Sequence, residues 1–147
     1  MEIAILALGC FWGPELKFSK INGVQNTEVG YCGGASTTTS YKEVCSGSTN
    51  HAEVIKLEFD STIISYEEIL NIFFKIHDPT TLNSQGPDFG TQYRSEIFYD
   101  NESQKKIAKK VLDQINEKLS GKVVTKISPV FNYCKAEEYH QKYLEKN

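Results

Sequence analysis

The first strand of this chain has to end abruptly, and that limits what can follow. Glu2 to Leu8 is a run of Ile, Ala and Leu behind a single acid, which reads as a buried strand. It leads directly into Gly9-Cys10-Phe11-Trp12-Gly13-Pro14-Glu15. Proline in a first helical turn sacrifices no hydrogen bond, and an acid there meets the positive end of the helix dipole. The chain must therefore pass from buried strand to helix within a few residues, with a cysteine at the turn. A thiol near a helix N-terminus lies in a backbone field that favours its thiolate. A free cysteine is just as commonly an inert core residue. Position alone leaves both readings of Cys10 open.

Further along, strands and helices are mixed, with no repeats, linkers or low-complexity segments. Gly23 to Tyr31 is a second predicted strand, followed by Gly33-Gly34 and a polar loop from Ala35 to Ser40. Glu53 to Phe59 alternates, with Ile55, Leu57 and Phe59 on one face and Lys56 and Glu58 on the other, the pattern of a half-buried strand. Ser65-Tyr66-Glu67-Glu68 has the form of a capping box and opens a helix to about His77. Asp78 to Gln92 contains Pro79, Gly86, Pro87 and Gly90. It reads as a long loop, a feature more often functional than idle. Glu96 to Tyr99 is a short strand, Asn101 to Leu119 an amphipathic helix closed by Gly121, Lys122 to Val130 a strand, and Ala136 to Leu144 a short helix. The order βαββαβαβα predicts an α+β fold. One domain over residues 1–147 forms a two-layer sandwich, a mixed sheet covered by two main helices and related to the ferredoxin-like arrangement.

Charge and composition exclude several function classes. The net charge is −3, and no basic stripe is present to meet a phosphate backbone, so nucleic acid is not an expected partner. Lys105, Lys106, Lys109 and Lys110 fall at helical spacing and read as a solvated helix face. The run from Ile3 to Leu8 is too short to span a bilayer. Glu2 stands where a signal peptide would carry positive charge, so the expectation is a cytoplasmic protein with no membrane partner. The four cysteines, Cys10, Cys32, Cys45 and Cys134, show no CxxC spacing, which argues against a zinc ribbon or a thioredoxin-type pair. No GxxxxGK[ST] or GxGxxG pattern supports nucleotide binding.

A few residues remain that could carry chemistry. Phe11 and Trp12 are costly on a surface, so they fill core or line a pocket. Glu53 opens an apolar strand. It is either a solvated strand end or a partly buried acid with a raised pKa, able to donate a proton near neutral pH. Tyr41 and Tyr93 lie beside glycine-rich loops. They are packing residues, or two phenols that together hold an oxygen atom. His51, His77 and His140 are scattered and read as structural.

The motifs resemble those of a known family, peptide methionine sulfoxide reductase A. Gly9-Cys10-Phe11-Trp12-Gly13 is similar to its signature. Gly30-Tyr31-Cys32-Gly33-Gly34, Tyr41-Lys42-Glu43-Val44-Cys45-Ser46-Gly47 and His51-Ala52-Glu53-Val54 follow in family order. So do His77-Asp78-Pro79-Thr80, Gly90-Thr91-Gln92-Tyr93-Arg94-Ser95 and Ala136-Glu137-Glu138-Tyr139-His140-Gln141.

The resemblance implies a thiol-dependent reduction of methionine-S-sulfoxide, free or in oxidised proteins. In it Cys10 attacks sulfur and becomes a sulfenic acid, and Glu53 protonates the sulfoxide oxygen. Tyr41 and Tyr93 share that oxygen, Phe11 and Trp12 wall in the substrate methyl group, and Asp88 lies near the substrate. No bound cofactor or metal is implied. The external reductant would be thioredoxin, or glutathione with glutaredoxin. Many relatives carry resolving cysteines in a tail, whereas this sequence stops at Asn147. Cys32 and Cys134 are the internal candidates for that step, and Cys45 is expected to be a packed core thiol. Phe89 stands where many relatives have histidine. The competing readings are another Cys10 enzyme, a hydrolase or thiol transferase working with a histidine, and a zinc-binding or interaction module.

Overall fold

The computed structural model describes residues 1–147. Strand β1 (Glu2–Leu8) leads into helix α1 (Trp12–Ser19), followed by β2 (Val24–Cys32), the short helix α2 (Tyr41–Cys45) and β3 (Ala52–Phe59). Next come α3 (Tyr66–Lys75), a small hairpin of β4 (Ser84–Gln85) and β5 (Asp88–Phe89), β6 (Ser95–Tyr99) and α4 (Glu102–Lys118). The chain finishes with β7 (Lys126–Pro129), β8 (Cys134–Lys135) and the single turn α5 (Tyr143–Lys146). Six strands form one mixed sheet in the order β7-β6-β1-β3-β2-β8. Only β6 and β7 run parallel.

The alternation in β1 and β3 decides what lies on each face. Ala4, Leu6, Leu8, Ile55, Leu57 and Phe59 meet Phe18 of α1, Ile69, Leu70 and Phe73 of α3, and Ala108 and Val111 of α4 in the main core. Fully burying one such Leu, Ile or Phe contributes about 1.5–3 kcal/mol. The opposite face carries a smaller cluster of Ile5, Ala7, Cys32, Ala52, Val54 and Phe98. The expected α+β sandwich is therefore present, with α3 and α4 as its main cover and α1 beside them. No helix is long and apolar enough to cross a membrane.

Local signals explain most element ends. Ser65 and Glu68 form the expected reciprocal capping box, and the Asn101 side chain caps α4 by accepting from the Gln104 N–H at 2.9 Å. Several segments differ from the sequence expectation, among them β8, which has no predicted counterpart, and the expected strand Lys122 to Val130, which is strand only over Lys126–Pro129. The supposed loop from Asp78 to Gln92 contains the β4–β5 hairpin, whose strands are too short to show periodicity. The expected helix from Ala136 to Leu144 is a 3-10 turn at Glu138–His140 and then α5, separated by Lys142 in the left-handed region at φ 51°. The five-residue α2 had no predicted counterpart.

Candidate active site

The antiparallel register pairs Leu6 with Ile55, so the end of β1 lies beside the start of β3. Gly9 then turns the chain at φ +98°, and a Cβ there would lie 2.9 Å from Gln85 of β4. Both facts require glycine. The turn leaves Cys10 half-buried just ahead of α1.

Glu53 is on the helix-covered face, because it shares the two-residue period of Ile55, Leu57 and Phe59. It is 1% exposed. The Phe11 N–H donates to its Oε1 at 3.2 Å, while its Oε2 is buried without any partner. Burial pushes its pKa up to about 8, the Phe11 N–H opposes this, and the charge of Asp88 adds to it. The buried-acid reading of Glu53 therefore replaces the solvated-strand-end reading.

Burial also pushes the Cys10 thiol up to about 11. The Trp12 N–H favours the thiolate, whereas the charges of Glu53 and Asp88 oppose it. The Trp12 N–H at the helix start is outweighed by burial, so the position of Cys10 does not by itself lower its pKa. When Glu53 is protonated, its share of that repulsion disappears.

Asp88 and Tyr93 belong to the same cluster. Tyr93 sits in the 3-10 turn at Thr91–Tyr93. Burial pushes its phenol up to about 12, with Glu53, Cys45, Asp88 and Cys10 acting in the same direction. Tyr41 opens α2, and its phenol is raised by burial, then by Cys45, Glu53 and Tyr93. Glu137 holds Tyr41 in place. Its Oε2 accepts the Tyr41 N–H at 2.9 Å and its Oε1 accepts the Tyr31 hydroxyl at 2.8 Å.

The aromatic wall has two layers. Trp12 is half-exposed, donates from Nε1 to His140 Nδ1 at 3.1 Å, and lies 3.8 Å between centroids from Tyr143. Phe11 is 1% exposed and backs the wall against Tyr31 and His140. His140 also contacts the Tyr41 ring at 4.5 Å. It holds Trp12, Phe11 and Tyr41 together, and burial lowers its pKa. Sequence reasoning missed Glu137 and His140 as supports of the site, although both lie within one of the recognised motifs.

The other histidines are structural, as expected. His77 bonds Phe73 O and Ser95 Oγ, and burial lowers its pKa to about 4. The His51 ring bonds Ser36 O at 2.7 Å. No three His, Cys, Asp or Glu side chains gather as a metal-binding group. Among the remaining thiols, Cys32 is fully buried on the opposite face of the sheet, with its Sγ 3.3 Å from Phe131 O. Cys134 lies on edge strand β8 with its sulfur toward Thr39 O. Cys45 is exposed, not the packed core thiol expected from its motif.

The family model for peptide methionine sulfoxide reductase matches residues 2–147. The chain belongs to the peptide methionine sulfoxide reductase family. It is 73% identical to the peptide methionine sulfoxide reductase MsrA of Pelagibacter ubique over 99% of both chains. It also superposes on reduced Mxr1 of Saccharomyces cerevisiae with a TM-score of 0.94 at 42% identity, covering 99% of this chain and 85% of that one. Mxr1 in complex with Trx2 matches with a TM-score of 0.69 at 27% identity, covering 97% of this chain and 84% of that one. Members of this family are oxidoreductases.

Proposed function

We propose that this chain reduces methionine-S-sulfoxide, free or in oxidised proteins, to methionine at Cys10. The observation that carries the reading is Glu53, a buried carboxyl with one oxygen left unpartnered, whose pKa burial raises to about 8. A sulfoxide sulfur is a poor electrophile while its oxygen would leave as oxide. A proton from Glu53 removes that obstacle. The Tyr41 and Tyr93 hydroxyls donate to the same oxygen as charge develops on it.

The Cys10 sulfur attacks the substrate sulfur and its proton replaces the one Glu53 gave up. Collapse of the adduct leaves the oxygen on Cys10. In sum, Cys10–SH and the sulfoxide become Cys10–SOH and methionine. The Trp12 face, backed by Phe11, takes the methyl group. Fixing methyl, oxygen and side chain at three separate places selects one sulfur epimer. Asp88 works through its charge, which helps to keep Glu53 protonated.

A dithiol reductant of the thioredoxin type, or glutathione with glutaredoxin, then returns Cys10 to the thiol. The solved complex of the related Mxr1 with Trx2 supports the first of these.

The test is methionine release from separate S and R sulfoxides by wild type and Cys10→Ser. Wild type is expected to reduce the S epimer only, and Cys10→Ser neither. Continued reduction by Cys10→Ser would overturn the assignment.

A further inference from the structure

The reaction leaves a sulfenic acid on Cys10, and a sulfenic acid condenses with any thiol that reaches it. Three other cysteines are present, and their placement ranks them. Cys32 is fully buried on the far side of the sheet, beneath Phe131. Cys134 is on edge strand β8, paired opposite Tyr31, with its sulfur directed to backbone oxygens of Thr39 and Lys135. Neither lies on α2, the helix whose Tyr41 packs against His140 of the site, whereas Cys45 does.

Cys45 follows Tyr41 by four residues on α2, which stacks the two side chains on one helical face. Each shifts the other's titration. Tyr41 packs on His140, and His140 contacts Phe11 and Trp12, the two residues after Cys10. The unpartnered Oε2 of Glu53 belongs to the same cluster, and its charge acts on Cys10, Cys45, Tyr41 and Tyr93 alike. Cys45 is also the thiol exposed to solvent.

From this placement we propose that Cys45 is the resolving thiol of this chain, closing a disulfide with the Cys10 sulfenic acid that an external dithiol then opens. The inference rests on the sulfenic acid of the proposed function. The step balances: Cys10–SOH and Cys45–SH give Cys10–S–S–Cys45 and water. A dithiol then takes the oxidation, leaving two free thiols and its own disulfide. The step links half-buried Cys10 to exposed Cys45 at the end of α2, so the incoming dithiol meets the bond at the Cys45 sulfur. The Tyr41 hydroxyl favours the Cys45 thiolate, and burial opposes it.

One turnover of methionine-S-sulfoxide without reductant tests this, with methionine quantified, free thiols counted and peptides mapped without reduction. Wild type is expected to lose both the Cys10 and Cys45 thiols for each methionine released, and to yield a joined Cys10–Cys45 peptide. Cys45→Ser is expected to yield a dimedone adduct on Cys10 instead. A dimedone adduct on wild-type Cys10, or a bridge to Cys32 or Cys134, would overturn the proposal. Absence of methionine from wild type would instead sink the proposed function, so the two failures are distinguishable.

Discussion

Two regions of the sheet bury a carboxylate, and they treat it in opposite ways. On the face away from the helices, Glu96 of β6 is 5% exposed. Both its oxygens are occupied, by Arg94 Nε at 2.7 Å and by the Ser128 hydroxyl at 2.6 Å. On the helix-covered face, Glu53 is 1% exposed and has one backbone N–H for two oxygens. Glu15 of α1 repeats the first pattern, with Thr27 on one oxygen and the Lys142 N–H on the other. A buried acid with a partner on each oxygen holds a fold together. One left short of partners is held protonated and can give its proton away. Burial alone therefore does not mark the site, whereas the missing partner does.

The largest effect that sharpens this contrast should come from Glu53→Gln. Removing a positioned general acid costs about 10²–10⁴ in rate, so kcat/KM for methionine-S-sulfoxide should fall by that order while the fold is retained. A rate within a few-fold of wild type would give Glu53 the same structural standing as Glu96. The reverse outcome is expected at Glu96→Gln, which leaves Arg94 without its ion-pair partner. Breaking a buried pair costs about 3 kcal/mol, measurable by urea unfolding, with activity per folded molecule preserved.

Stability against pH reads Glu53 as well. The folded-state pKa of Glu53 is raised from 4.5 to about 8. Its contribution is therefore fully present below the unfolded value and is lost as pH rises through the folded one. Between those limits the group should cost the wild type about 1.4 kcal/mol per pH unit. Glu53→Gln should lack that slope, so the difference in unfolding free energy between the two should grow steadily toward pH 8. Parallel curves would contradict it. The smallest effect belongs to the phenols. On the proposed roles Tyr41→Phe and Tyr93→Phe each remove one hydrogen bond to the reacting oxygen, and steady-state kinetics should show about a tenfold loss in kcat for each.

Much of this was legible in the residues. The β1 run, the alternation of Ile55, Leu57 and Phe59, and the Ser65 capping box fixed the sheet face and the helix that covers it, because each is a local pattern with one physical reading. The motifs that hold Cys10, Tyr41, Glu53 and Tyr93, and the family position of Asp88, name residues that the fold brings within reach of one another's charge. The missing parts depend on contacts between distant segments. No local signal shows that burial outweighs the helix-start field at Cys10, since burial comes from the chain that folds over it. Helix α2 is too short for a period, so the exposure of Cys45 at its end could not be read from sequence. Lys142 in the left-handed region splits the last segment, and its backbone N–H is used by Glu15, which lies far away in the chain.

The proposed reaction turns on Glu53 carrying its proton at neutral pH. The most direct test is a pH titration of its side-chain carboxyl carbon by NMR in the substrate-free protein, assigned by comparison with Glu53→Gln. A midpoint near 8, well above those of the solvent-exposed glutamates, is the predicted result. A midpoint near the ordinary glutamate value of about 4.3 would show an ionised Glu53 at neutral pH and remove the acid from the reaction.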